Sequence, residues 1–239
     1  VENRERKSKN IKLSASTISD YLSCPRKVYY RIYHRELAVE TEPLILGNAV
    51  HNALEKHSDN FLAAIEYINS LDIDDKIKQK ASRMVSNYFK YYKDLVDDED
   101  KIEEFINFYF EDIPIVAKID RYNDHRIIDW KTSRRAKPNG MENDIQSIIY
   151  KKAVREKTDK DPQQILFVNL NVPAVSESAV NSRFEEYFWK EIVPYVYNGI
   201  MNDIFPATGI FNWNSPCRYC QFREACMSDI SGGLNEKGK

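Results

Sequence analysis

Glycine and cysteine are both scarce in this chain, at 7 and 4 of 239 residues. So few cysteines exclude a disulfide-dense secreted scaffold. No apolar signal segment opens the sequence, which reads as an intracellular, cytoplasmic protein kept in a reducing compartment. No run approaches the ~20 apolar residues of a membrane-spanning helix, so a soluble protein is expected. Excess positive charge is missing too. With 35 basic against 37 acidic residues the net charge is −2, which excludes a global basic field and makes any contact with a polyanion a local matter. Internal repeats and low-complexity tracts are likewise absent. A chain of this length can bury a substantial core, and a single domain with a helical elaboration is the expected organisation. The sequence begins at Val1 without methionine, and Glu2 to Lys9 is a charged run of the kind found at a trimmed terminus or an internal domain boundary.

What is present has a clear order. Residues 1–12 read as flexible and 13–100 as helical. Ser14, Ser16 and Thr17 offer helix caps, and Ile18, Tyr21 and Leu22 recur at helical spacing up to Cys24-Pro25. A second amphipathic pattern places Gly47, Val50, His51 and Leu54 on one face, with Glu55 one turn beyond His51. Two helices are predicted between Phe61 and Leu95, and an acidic turn at Asp97 to Asp100. Residues 101–175 then change character. Ile102 to Phe110, Ile113 to Ile119 and Arg126 to Trp130 read as strands of an antiparallel meander, followed by a helix from Asn143 to about Lys157 and a strand from Ile165 to Val172. Ser182 to Met201 is an aromatic-rich helix leading into a cysteine loop, within a carboxyl-terminal section 176–230 and ahead of a tail 231–239. The order is that of an α/β fold.

The four cysteines divide unevenly. Cys24 stands alone near the amino end, while Cys217, Cys220 and Cys226 crowd together near the other. Two disulfides suit a secreted protein better than this one. Zinc fits the Cys-x2-Cys pair and the tetrahedral preference for four thiolates, but zinc modules usually close over a short loop. An iron–sulfur cluster held by four cysteines, stapling distant segments together, fits the remote Cys24 better.

Candidate chemistry sits in the meander. Asp120 ends one predicted strand and Asp129-Trp130-Lys131 ends the next, so two carboxylates and a lysine are expected at one sheet edge. Paired carboxylates make a hard oxygen site for Mg²⁺ or Mn²⁺, which polarises a phosphate and lowers the pKa of a bound water. Lys131 would steady that water or the charge developing on the phosphate. The acidic-x-Lys triplet alone is unspecific, because it recurs at Glu5 to Lys7, Asp74 to Lys76 and Glu99 to Lys101. An ordinary strand-end salt bridge explains it equally well.

The motifs Gly47-x-x-x-His51-x-x-x-Glu55, Ala117-Lys118-Ile119-Asp120, Ile127-Ile128-Asp129-Trp130-Lys131-Thr132 and Gln146-x-x-x-Tyr150, in this order, resemble those of the RecB-type PD-(D/E)XK nucleases. With the cysteines around them, the chain is similar to the iron–sulfur branch of that superfamily. This branch includes CRISPR-associated RecB-like exonucleases, AddB-type nuclease domains and phage-encoded relatives. Ala117 departs from the pattern, standing where the family usually has glycine.

The resemblance implies a restriction-endonuclease-like core with a mixed central sheet, a helical amino-terminal segment and a carboxyl-terminal iron–sulfur clasp, [4Fe–4S] being favoured. It implies His51, Asp120, Asp129 and the Trp130 carbonyl as ligands of Mg²⁺ or Mn²⁺, Lys131 as the catalytic lysine, and Gln146 and Tyr150 as substrate-positioning residues. For His51 the alternative is a hydrogen-bonded core histidine, and for Glu55 structural support and tuning of the ligands stand level. The implied activity is exonucleolytic cleavage of single-stranded DNA or DNA ends, 5′ to 3′ by preference, in spacer acquisition or in recombination and repair. Integrase or helicase proteins are the implied partners. A DNA-end-binding adaptor subunit, active only in a larger complex, is the alternative.

Two features stay open at this level. Arg134, Arg135 and Lys137 follow the candidate strand and either track a DNA backbone or are simply solvated. Phe211, Trp213, Tyr219 and Phe222 interleave with the cysteines, where stacking on bases is one reading and shielding of a cluster from water the favoured one.

Overall fold

The structure is a computed structural model and describes residues 11–231. Helices α1 (Ala15–Ser23), α2 (Pro25–Tyr33), α3 (Glu42–His57), α4 (Phe61–Ser70) and α5 (Asp75–Tyr91) precede strands β1 (Lys101–Phe110), β2 (Ile113–Tyr122) and β3 (Arg126–Lys131). Helix α6 (Ile145–Thr158) leads to β4 (Gln164–Asn169) and β5 (Ala174–Glu177), then to α7 (Ser182–Tyr187), α8 (Val193–Met201) and α9 (Arg223–Ile230). The predicted helix from Ser182 to Met201 contains a π-helical turn, Phe188–Ile192, between α7 and α8. Helix α2 and strand β5 go beyond the sequence reading. Among the described residues no helix is long and apolar enough to cross a membrane.

The described residues form two compact units, one comprising residues 41–108 and 116–186, the other the flanking segments and the tip of the β1–β2 hairpin. In the first, the sheet runs in the order β1-β2-β3-β4-β5. Strands β2 and β3 are antiparallel, β3 and β4 parallel, β4 and β5 antiparallel, so the sheet is mixed. Helix α6 makes the crossover that a parallel pair requires. Ile128 and Trp130 of β3 and Leu166 and Val168 of β4 share a core with Val50 and Leu54 of α3 and with Met84 and Tyr88 of α5. Tyr88 meets the Trp130 ring edge-on at 5.3 Å. Because side chains alternate along a strand, burying Ile128 and Trp130 against the helices turns Asp129 to the opposite face.

In the second unit, Ser14 Oγ accepts the Thr17 N–H at 3.2 Å and so caps α1. Helix α1 stops at Cys24 because the ring of Pro25 disfavours a helical conformation in the residue before it. Cys24, with φ −163°, thereby ends one helix and begins the next. Tyr21 packs so closely on Gly199 of α8 that a Cβ there would lie 2.0 Å from the phenol oxygen, which donates to the Ile204 carbonyl at 2.7 Å.

Candidate active site

Asp120 lies inside β2, not at its end as the sequence suggested, because the strand continues through Tyr122. Its position still serves a site. The β2–β3 ladder pairs Arg121 with Ile128 and Tyr122 with Ile127. One step on, the Asp120 carboxylate takes over from the backbone, its Oδ2 accepting the Trp130 N–H at 2.8 Å. That bond fixes the peptide between Asp129 and Trp130 against Asp120.

Asp129 Oδ1 accepts from Gln146 Nε2 at 2.6 Å and from the Tyr150 hydroxyl at 3.4 Å, while Oδ2 lies 2.5 Å from Lys131 Nζ. Lys131 Nζ also donates to Gln146 Oε1 at 2.8 Å. Gln146 and Tyr150 stand one turn apart on α6, whose amino end is set by Asp144, the acceptor of the Ser147 N–H at 2.9 Å. A single glutamine therefore holds the carboxylate with its amide nitrogen and the lysine with its amide oxygen. On the other side, His51 Nδ1 of α3 lies 3.3 Å from Asp120 Oδ1 and 3.7 Å from Glu103 Oε1. Gly47, one turn earlier, passes against Thr132, whose hydroxyl would be 3.6 Å from an added Cβ.

Glu103 is the residue that sequence reasoning missed. Its backbone is left-handed, φ 49°, which is costly for a residue with a side chain. Odd-numbered neighbours 105, 107 and 109 of β1 are exposed, but at the left-handed Glu103 the side chain is only 5 % exposed. There it pairs with Lys118 as well as approaching His51. No motif marks it, since its burial goes with that left-handed residue inside an otherwise continuous strand.

The electrostatics follow from burial and charge. Asp129 is fully enclosed, and burial, helped by the neighbouring Asp120 charge, raises its pKa against the pull of Lys131 and His51. Asp120 is buried too, yet His51 and the Trp130 N–H outweigh burial and lower its pKa. Burial opposes a charge on His51, but Asp120 and Glu103 overcome it and push the imidazole up to about 10. Lys131 likewise stays charged, burial being outweighed by Asp129. The Tyr150 phenol is raised by burial and by both aspartates.

His51, Glu103 and Asp120 form a group that could hold a metal ion, their ligand atoms lying within 4.8 Å of one another. Asp129 Oδ2 and Glu103 Oε2 are buried, and each faces one lysine ammonium, Lys131 and Lys118 respectively. Carboxylate oxygens gathered with an imidazole at one point fit a hard divalent cation, which takes oxygen ligands in preference to others. Glu55 is exposed at the far end of the same helix face, contributing charge near Lys118.

The basic loop divides. Lys137 is committed to Asp144 Oδ2 at 2.6 Å and sits 3.5 Å from the centre of the Phe167 ring, while Arg134 and Arg135 are exposed and form no ion pair among the described residues. The other acidic-x-Lys triplets are unlike Asp129 to Lys131. Asp74 caps α5, accepting the Lys76 N–H at 2.8 Å, Glu99 and Lys101 line an open cleft, and Glu5 to Lys7 lies outside the described residues.

In the other unit, Cys24, Cys217, Cys220 and Cys226 are unoxidised and line one small pocket with Tyr30 and Phe222. Burial raises the pKa of the Cys220 and Cys226 thiols, each reinforced by the other cysteines. No three of the sulfurs lie within 4.8 Å of one another among the described residues. The donor set therefore suits a thiolate-bound group in kind, without the close tetrahedral spacing that one zinc ion imposes. The expectation that the loop aromatics shield this pocket holds for Phe222 alone, which is 1 % exposed and stacks on Tyr30 at 5.5 Å. Phe211, Trp213 and Tyr219 are 85, 98 and 83 % exposed.

Comparison with protein families matches residues 12–227 to the PD-(D/E)XK nuclease superfamily. No curated protein sequence matches the chain. Among solved structures, the fold is similar to a crystal structure described as "putative exonuclease" from Eubacterium rectale, with TM-score 0.62, 12 % identity and 90 % of each chain covered.

Proposed function

From the premise that this chain belongs to the PD-(D/E)XK nuclease superfamily, we propose that it is a divalent-metal-dependent deoxyribonuclease acting exonucleolytically on single strands or DNA ends, 5′ to 3′ by preference. The observation that carries this reading is Lys131 held between Asp129 and Gln146, beside the Asp120–His51 pair.

His51, Asp120, Asp129 and the Trp130 carbonyl would hold Mg²⁺ or Mn²⁺, with Glu103 close to the same group. When bound, such a cation polarises the scissile phosphate and lowers the pKa of a water molecule. The protein's own residues set the geometry. Asp120 fixes the peptide between Asp129 and Trp130 through the Trp130 N–H. Gln146 cannot turn its amide without losing Asp129, so its oxygen stays directed to Lys131. The Lys131 ammonium, kept charged by Asp129, is placed to stabilise charge developing on phosphate oxygens. To serve as a ligand His51 would have to be neutral, since a metal-ligating imidazole carries no extra proton.

The four-cysteine pocket is proposed to hold an iron–sulfur cluster, [4Fe–4S] by preference, as a structural clasp. This rests on the shared pocket and the RecB-like motif order. A cytoplasmic role in spacer acquisition or in DNA recombination, beside integrase or helicase proteins, completes the proposal.

The test is cleavage of end-labelled single-stranded DNA, with free and blocked ends, in Mg²⁺, Mn²⁺ or EDTA. Lys131→Ala should lose at least ~10²-fold in rate with little change in DNA binding. Asp129→Ala should abolish metal-dependent cleavage, and Glu99→Ala should be silent. Undiminished cleavage by Lys131→Ala would overturn the assignment. Inactivity of the folded, metal-loaded parent on every DNA form would favour the end-binding adaptor.

A further inference from the structure

Three large aromatic side chains stand in solvent beside the cysteine pocket, and their exposure is built into the backbone. Two 3₁₀ turns, Thr208–Phe211 and Pro216–Tyr219, are tied together by Ser215, whose Oγ donates to the Gly209 carbonyl at 2.8 Å and accepts the Cys217 N–H at 3.2 Å. Gly209 is pressed inward. A Cβ there would lie 3.0 Å from Pro216 Cγ and 3.2 Å from Cys24 Cβ. The loop thus uses its backbone and its proline to face the cysteines, and Phe211, Trp213 and Tyr219 are left outside. None of the three rings meets another ring among the described residues, whereas Phe222, a few positions on, is fully buried against Tyr30.

Each such side chain carries roughly 150–250 Å² of surface. Three of them nearly fully exposed on one short loop is far more than the scattered single apolar residues of an ordinary surface. The loop segment that carries them has charge of one sign. No Asp or Glu occurs between Asp203 and Glu224, although the chain has 37 acidic residues. Arg218 and Arg223, both exposed, lie within this stretch and form no ion pair among the described residues. Exposed π-faces interleaved with unpaired guanidinium groups match the two demands of a single-stranded nucleic acid, whose bases need stacking partners and whose phosphates need cations. A duplex offers the phosphates but hides the base faces.

We propose that Phe211, Trp213 and Tyr219, with Arg218 and Arg223, form a base-stacking platform for single-stranded DNA. The inference rests on the nuclease reading for the identity of its ligand, and it assigns a substrate-holding function to a loop that the catalytic residues do not use.

The experiment measures binding of fluorescently labelled oligothymidine to the full chain without divalent cation, so that cleavage does not intervene, beside an abasic strand of equal length. Trp213→Ala should weaken oligothymidine binding about tenfold or more. The Phe211→Ala, Trp213→Ala, Tyr219→Ala triple variant should bind oligothymidine no better than the parent binds the abasic strand. Arg218→Ala with Arg223→Ala should flatten the salt dependence by about 1.4 in log–log slope, at roughly 0.7 for each phosphate no longer neutralised. All these side chains are exposed, and unchanged circular dichroism and melting temperature verify that the variants fold. The proposal is overturned if the folded triple variant keeps the parent's affinity, as it would were the rings a docking surface for another polypeptide, or if the parent does not distinguish oligothymidine from the abasic strand. A parent that binds through the rings but cuts no DNA would uphold the platform and sink the nuclease reading. A parent that cuts DNA while the triple variant binds unchanged would do the reverse.

Discussion

The Trp130 backbone N–H donates to Asp120 Oδ2 at 2.8 Å, so a side chain completes a hydrogen bond between neighbouring strands that backbone would otherwise make. One oxygen of Asp120 is thereby spent on fixing the adjacent strand, while the other lies 3.3 Å from His51. The carboxylate joins β2, β3 and α3 at one point, and its neighbours share that arrangement unequally.

Gln146 is a positioning residue, and it should matter more than Tyr150. Its amide bridges Asp129 and Lys131 at 2.6 and 2.8 Å, whereas the Tyr150 hydroxyl reaches Asp129 only at 3.4 Å. Gln146→Ala should lower kcat by about 10- to 10²-fold with KM nearly unchanged, since a small misplacement of a catalytic group has effects of that order. Tyr150→Phe should stay within severalfold of the parent. Single-turnover cleavage resolves the two, and an equal loss in both variants would contradict the bridging role.

Glu103 should tune metal affinity. Glu103→Gln keeps the shape of the side chain and removes its charge beside His51, so the Mg²⁺ concentration for half-maximal cleavage should rise about 10- to 10²-fold. Activity at saturating Mg²⁺ should largely recover. A metal titration identical to the parent's would show that the buried charge serves only Lys118.

Cys24 should be equivalent to the distant trio. Because all four cysteines line one pocket, Cys24→Ala and Cys220→Ala should lose bound metal to the same extent and melt at similarly lowered temperatures. Anaerobic preparation with metal analysis and a visible spectrum makes the check. Full iron content in Cys24→Ala would separate Cys24 from the site, and one stoichiometric zinc in a colourless parent would replace the cluster.

Gly199→Ala should destabilise the unit that carries the cysteines. A methyl group 2.0 Å from the Tyr21 oxygen forces Tyr21 away and breaks its bond to Ile204, a combined cost of about 2 to 4 kcal/mol from overpacking and a broken hydrogen bond. Denaturant unfolding should show the loss in Gly199→Ala. Restoring space with Tyr21→Phe in the same chain should recover part of it. Undiminished stability in Gly199→Ala would mean that α1 and α8 separate at little cost.

Strands β1 to β4, helices α3 to α6 and the candidate grouping of Asp120, Asp129, Lys131 and Gln146 were legible because their signals are local. Alternation marks β3, helical spacing brings Gln146 and Tyr150 to one face, and the motifs keep their order along the chain. Strand β5 was not legible, being short and held by pairing with β4. Helix α2 was obscured by Pro25, which reads as a stop and is in fact the first residue of a new helix.

The sequence by itself determined the α/β order, the residue types capable of metal-assisted phosphate chemistry and the clustering of three cysteines, since each depends on spacing along the chain. Whereas the pocket shared by Cys24 with Cys217, Cys220 and Cys226 is expected from the sequence, tertiary structure alone decided that Glu103 joins His51 and Asp120 and that Lys137 is taken up by Asp144. It also decided that Phe222 turns inward while Phe211, Trp213 and Tyr219 face water. The physical reason is common to all of these. Burial and proximity between residues far apart in sequence are set by how the backbone bends, at a left-handed Glu103 or a Gly209 pressed against Cys24, and composition carries no record of that bend.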